Sequence, residues 1–318
     1  MKLETKKARV HKKKKFFNHN NTDNMVLFLL QLPVLIYTLI FAYIPMYGII
    51  IAFKKFNPRK GIWGSQWVGL ENFEFFRRSK EFWEIFGRTV AYNVWFLFIG
   101  LVSAVGLAIL FYSLSSKRLV KVYSTISILP RFMSAVLLSY LVYAFLNPVS
   151  GILNKIIEAL GGTSIDWYMK PEPWPIIITF VKVWSSVGMS CLIYYATLVG
   201  IDASLFEAAR LDGATRWQEM RYIEIPELSS VICINLIMGI NGIVQGGDFD
   251  MFYTLTKDSA ALYPTTNIIG TYMYRALMVN NDIGTTSALG VAQSVVGLIL
   301  LLITNGVIRK ISYDNRLF

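Results

Sequence analysis

Six stretches of this 318-residue chain, 25–53, 89–116, 132–154, 183–201, 228–247 and 283–308, contain no charged side chain, and each is at least 19 residues long. About 20 apolar residues at the helical rise cross the hydrocarbon layer of a bilayer. All six stretches therefore qualify as transmembrane helices. Backbone polar groups inside lipid must bond within their own segment, so charge-free runs of this length predict helices rather than irregular chain. A content of 54% hydrophobic and 16% charged residues agrees, since a soluble domain carries far more charge. The expected fold is all-α, a polytopic membrane protein with six transmembrane helices.

The formal charge of +11 invites a nucleic-acid reading, which its distribution argues against. Eight of the 31 basic residues fall in the first 15 positions, as a flank to the first apolar stretch rather than a binding stripe. The apolar run that follows is too long for the core of a secretory signal and has no small-residue cleavage site. Residues 1–24 are thus read as a basic cytoplasmic tail, and 25–318 as one transmembrane domain. With six crossings both termini lie inside. That places 17 basic residues inside and 12 in external loops, the bias expected of the inner face. The external loop 54–88 opposes the trend with eight, and its aromatic residues, among them Trp63, Trp67, Phe73, Phe75 and Phe76, are read as a belt at the outer interface. Lys182 is read as an ionisable group near or within the fourth span, where a charge faces a cavity or a partner or snorkels to the interface.

Cys191 and Cys233 both fall within spans, and His11 and His19 lie in the tail, so neither a disulfide framework nor a catalytic zinc site is indicated. The chain holds no G-x-x-x-x-G-K-[ST] phosphate loop, so any ATP and its Mg²⁺ belong to a partner. Small residues repeat every four positions at Gly100, Ala104 and Ala108, and at Ala288 with Ala292, giving faces for close helix packing.

The informative segment is the cytoplasmic loop 202–228. Glu207 to Leu211 are good helix formers, and Asp212-Gly213 is a stop, because Gly adopts the left-handed cap conformation freely. A second amphipathic stretch runs from Trp217 to Ile225, and Pro226 disfavours helix at Ile225 and marks entry to span five. A helix, a sharp turn and a second helix protrude from the membrane. The alanines permit close entry into a groove, and Glu207, Arg210 and Asp212 can pair with charges on a partner. A merely solvated loop is the bland alternative.

Glu207-Ala208-Ala209, Asp212-Gly213-Ala214 and Ile223-Glu224-Ile225-Pro226 follow one another at a spacing that resembles the EAA motif of inner-membrane permeases of binding-protein-dependent ABC importers. Met220 stands where that family commonly has Phe, and Ile225 where it has Leu. Ile44-Pro-Met-Tyr-Gly, Trp67-Val-Gly-Leu-Glu-Asn-Phe73, Leu129-Pro130 and Ile201-Asp202 are similar to the oligosaccharide and polysaccharide permease subgroup of the maltose-type importers, with Arg131 where His is frequent. The resemblance implies a type I ABC importer permease fold in the bacterial cytoplasmic membrane, without enzymatic activity of its own. It implies as partners a second homologous permease, two cytoplasmic ATPase subunits and an external solute-binding lipoprotein. The ATPase would grip Glu207, Ala208, Ala209, Arg210, Asp212, Gly213 and Ala214, and the cargo would be an oligosaccharide.

Sugar sites combine aromatic platforms with amides and hydroxyls in a dry pathway. Trp184 and Tyr195 in span four, Asn235, Asn241 and Gln245 in span five, and Gln293 in span six are the candidates, together with Arg131, a costly charge near span three. A secondary transporter or channel without an ATPase is the rival, and it predicts intramembrane carboxylates or a charged pore ring; a membrane enzyme predicts a clustered catalytic set.

Overall fold

The computed structural model describes residues 21–245 and 248–311, which divide by their contacts into two units, 1–50 and 51–318. The tail up to residue 20 and Arg316 lie outside the described residues, as do the side chains of Asn241, Gln245, Arg309 and Lys310.

The first unit is built on α1 (Asn21–Thr38), which passes through a π-turn (Leu39–Tyr43) into a short helix at Ile44–Met46. The turn has a local cause. Proline has no N–H and its ring clashes with the carbonyl four residues back, so the helix widens just ahead of Pro45. The helical run Met25–Phe53 is long enough to span a bilayer, and its apolar side chains, Leu30 and Val34 among them, are exposed as lipid-facing residues are.

The second unit opens with a two-stranded antiparallel ribbon, β1 (Lys54–Lys55) pairing with β2 (Gln66–Trp67). Its frame is α2 (Lys80–Ser113), α6 (Trp174–Val199), α9 (Ile225–Gln245) and α12 (Ile283–Ile311), with α2 lying along α6 and α9, and α9 along α12. Ala104 and Ala108 on α2 are fully buried in a cluster with Cys191, Leu198 and Leu228, so the small-residue face does pack closely. Gly188 on α6 sits where a Cβ would collide with the Ser127 carbonyl, so α6 meets its neighbour at backbone distance.

The charge-free stretch 132–154 does not form one helix. α3 (Lys117–Ile128) runs through a 3₁₀ turn at Leu129–Phe132, and α4 (Ala135–Leu146) leaves at 100° to it. Pro130 starts the turn, Met133 and Ser134 are extended, and the Ser134 hydroxyl accepts the Leu137 N–H to cap α4 at 3.2 Å. Twelve residues are too short to cross alone, and α4 ends at Asn147-Pro148 before the short α5 (Ile152–Ala159). Among the described residues five helices are long and apolar enough to cross, or six if the bent pair is one broken span.

Two other boundaries move. α2 begins at Lys80 rather than 89, capped by Ser79, and α6 begins at Trp174 rather than 183, so Lys182 lies inside the helix. There Lys182 forms an ion pair with Asp248, which caps α10 (Phe249–Thr256), and its ammonium lies 5.9 Å from the Phe96 ring centre. The aromatic residues 75 and 76 are also not an interfacial belt. They pack against Phe82, Ile85, Ile269 and Leu289 in a second-unit core, Phe75 stacking on Tyr272 of α11 (Ile269–Met278), whereas Trp63 and Trp67 are exposed.

Candidate functional site

Between α6 and α9 the chain folds into an elbow. α7 (Ala203–Leu211) starts at Asp202, whose carboxylate accepts the Ser204 N–H at 3.0 Å; that bond holds the Asp202 carboxyl below its usual pKa. α7 ends in a Schellman turn: the Ala214 N–H donates to the Ala209 carbonyl at 2.9 Å, the Gly213 N–H donates to the Arg210 carbonyl at 3.1 Å, and Gly213 takes φ +81°. α8 (Arg216–Glu219) follows with a reciprocal cap between Thr215 and Gln218.

Helix does not stop at Ile225 as the proline suggested. α8 passes through a π-turn (Met220–Glu224) straight into α9, so the second arm of the elbow and span five are one continuous element. The reason is the one seen at Pro45: the widened turn relieves the clash that Pro226 would make with the carbonyl four residues back. Both π-turns stand immediately before an Ile-Pro pair.

The elbow is braced by charge pairs within the chain, and Arg210, read above as able to pair with a partner, is one of their members. Glu219, 3% exposed, accepts from Arg210 Nε at 2.6 Å and from Arg216 Nη1 at 3.2 Å. Arg216 also pairs with the fully buried Glu224, donates to Ser113 Oγ at 2.9 Å, and lies 5.8 Å from the Tyr112 ring. Arg216 thus ties the second arm of the elbow to the end of α2, and Glu219 joins that arm to α7 through Arg210. Glu219 holds Arg210 above its ordinary pKa through their hydrogen bond. The link to Glu224 was hidden because positions eight apart on an ideal α-helix point about 80° away from each other. The extra residue in the π-turn brings them onto one side, which spacing alone does not reveal.

With these groups turned inward, the outer surface is left for contact. Phe206 is buried against Tyr112, whereas Glu207, Ala208, Asp212 and Gly213 are exposed, and so are Leu211 at 89%, Trp217 and Tyr222. A hollow of about 310 Å³ opens there, lined by Ala209, Asp212, Gly213, Ala214 and Tyr222. Arg210 serves the brace through Glu219 while its side chain stays 66% exposed.

The intramembrane candidates are not brought together. Trp184 lines a cavity of about 550 Å³ with Phe145 and Phe180. Asn235 faces one of about 190 Å³ with Ser186 and Ser190 while its amide donates to the Val231 carbonyl. Gln293 is buried beside a third, with Phe82 and Trp83. Tyr195 packs edge-on against Phe111, and Arg131 is exposed in the turn at the α3–α4 bend. Asn241 and Gln245 stand on α9, their side chains outside the described residues. A larger cavity that sequence reading did not anticipate, about 750 Å³, lies between α2 and α6 and includes Arg88, Tyr92, Trp95 and Thr179. It is formed partly by Pro264 and Thr265, distant in sequence, and no local pattern announces it. Among the described residues no group of His, Cys, Asp and Glu could hold a metal.

Comparison with known proteins places this geometry. The family model for the binding-protein-dependent transport system inner membrane component matches residues 97–313. The chain is 33% identical to the polygalacturonan/rhamnogalacturonan transport system permease protein YteP of Bacillus subtilis (strain 168), over 91% of this chain and 89% of that one. It is 29% identical to the protein LplB of the same organism, over 91% and 90%. A chain in the crystal structure of a bacterial ABC transporter involved in the import of the acidic polysaccharide alginate superposes with TM-score 0.83 and 29% identity, over 92% of this chain and 97% of that one. The braced elbow, the apolar helices and these matches agree, and the chain belongs to the family of binding-protein-dependent transport system inner membrane components, with the type I ABC importer permease fold.

Proposed function

We propose that this chain forms one half of the translocation pathway of an ATP-driven oligosaccharide importer, and that the elbow 202–228 is the seat of a cytoplasmic ATPase subunit. The observation that carries the reading is the division of the elbow into an inner braced face and an outer face bearing Glu207, Leu211, Asp212 and Trp217. A rigid lever with a free apolar and acidic surface is what a nucleotide-driven motor needs to grip. ATP and Mg²⁺ would reside on that motor. A second, homologous permease would complete the pore, and an external solute-binding lipoprotein would deliver the sugar. Both termini would face the cytoplasm, with 1–24 as a basic tail and 25–318 as the permease domain.

Rigid-body rocking of the two halves would switch access from one side to the other. Reversing a strongly biased equilibrium needs about 5.5 kcal/mol of differential interaction, so the elbow must be held firmly. Acidic oligosaccharides are the favoured cargo class, because the relatives named above handle polygalacturonan, rhamnogalacturonan and alginate. The intramembrane candidates Trp184, Tyr195, Asn235, Asn241, Gln245, Gln293 and Arg131 would contribute to the path as the second half closes around it.

The test is co-expression with the ATPase and companion permease, and uptake of labelled oligouronides beside neutral oligosaccharides of equal length. The expected result is uptake that requires ATP hydrolysis, prefers the oligouronides, and is lost on Glu207→Lys together with co-purification of the ATPase. Uptake that persists without the ATPase would establish the secondary-transporter alternative instead.

A further inference from the structure

α3 carries a surface that the transport reading does not use. Arg216 of the elbow donates to Ser113 at the end of α2, and α3 begins four residues later, so Lys117, Arg118 and Lys121 stand at the elbow end of the bundle. All three are exposed, and none makes an ion pair among the described residues. Their own segment offers no counter-charge, since no Asp or Glu occurs between 89 and 157. The inner side of α3 is anchored by Val120, buried in the core with Phe111 and Leu198.

The outer side changes character along the axis. Leu119 stands exposed between Arg118 and Lys121, and the exposed Val122, Tyr123, Ile126 and Leu129 follow on the same helix and its continuation. The hydroxyls of Ser124 and Thr125 donate back to the Lys121 carbonyl at 3.1 and 2.8 Å, so these two groups make no demand on water. Exposed cations confined to the first turns, with only apolar and hydroxyl-bearing residues from Val122 to Pro130, match the passage from headgroups into acyl chains.

We propose that the exposed face of α3 seats an anionic phospholipid, its headgroup held by Lys117, Arg118 and Lys121 and its acyl chains lying over Leu119, Val122 and Ile126. Charge complementarity selects the headgroup sign, and the apolar continuation selects lipid over an acidic protein, which would match the three cations but leave the hydrocarbon face uncovered. The inference rests only on the chain spanning a membrane, and stands apart from the identity of the cargo.

The test is native mass spectrometry of the full chain released from micelles containing equal phosphatidylglycerol and phosphatidylcholine. The wild type should retain phosphatidylglycerol preferentially. Lys117→Gln, Arg118→Gln and Lys121→Gln should each reduce that preference by roughly fivefold or less, and together abolish it. The same charge loss at Arg59, Lys155 and Lys170 should leave it unchanged, as should Lys117→Arg with Lys121→Arg. Inorganic phosphate should not displace the lipid. Should the triple variant fail to fold, Lys121→Gln alone carries the test. Unchanged retention in the glutamine variants overturns the proposal, as does displacement by phosphate alone. Loss of a co-purifying acidic protein with lipid retention intact would assign the surface to that protein.

Discussion

Arg216 shows how a single side chain can serve two elements. One guanidinium nitrogen pairs with both Glu219 and Oε1 of the buried Glu224, whose Oε2 is left without a partner, and the other reaches Ser113. Removing one partner of a buried pair leaves an uncompensated charge, which typically costs about 3–5 kcal/mol, whereas replacing both by apolar groups is often nearly neutral. Arg216→Met should therefore lower stability by about 3 kcal/mol, and Arg216→Met with Glu224→Met should recover much of it, as read from thermal unfolding of the purified chain. Failure of the double variant to recover would mean that the pair does not couple. At the same scale, the turn glycine was legible in the sequence and the brace was not. Asp212-Gly213 announces a left-handed cap by residue type alone, but the partnership of Arg216 with Glu224 depends on a π-turn whose presence only the three-dimensional chain reveals.

Elements were read best where charge was the only criterion needed. Helices α2, α6, α9 and α12 coincide with charge-free stretches, but their true starts lie up to nine residues earlier, since capping and packing outside the hydrocarbon do not require apolar residues. The third stretch failed because freedom from charge does not imply helical continuity: Pro130 and Asn147-Pro148 interrupt it. Two glycines allow element-scale tests. Gly213→Val forces a β-branched residue to φ +81°, with an expected cost of about 1–3 kcal/mol at the Schellman turn and uncoupling of ATP hydrolysis from uptake, measured on the reconstituted importer. Gly188→Leu must drive α6 away from the α3 carbonyl at Ser127; overpacking of this kind costs about 1–3 kcal/mol or more, and reduced yield of folded chain on size exclusion is the expected result.

For the whole molecule, the candidate sugar contacts were chosen span by span from side-chain chemistry, which says nothing of the direction in which each helix turns them. Trp184, Asn235 and Gln293 consequently line three separate cavities, while a further cavity of about 750 Å³ draws on Arg88 and Thr265, far apart in sequence. The Lys182–Asp248 pair links α6 to the segment entering α10 across such a distance. Asp248→Asn should strand the lysine charge inside the bundle and lower the melting temperature, and Lys182→Met in that background should restore it.

The widened turn ahead of Pro226 also sets the angle of the elbow. One residue on a helix corresponds to about 100° of rotation about its axis. The surplus residue between Met220 and Glu224 therefore works as a mechanical phase setting, fixing where the lever arm points relative to the span that carries it. Deleting one residue of this turn, Tyr222 for instance, would rotate the elbow by about 100° relative to α9 and would also take Arg216 and Glu224 off their shared side. A partner that holds the elbow as proposed would then meet its surface at the wrong angle.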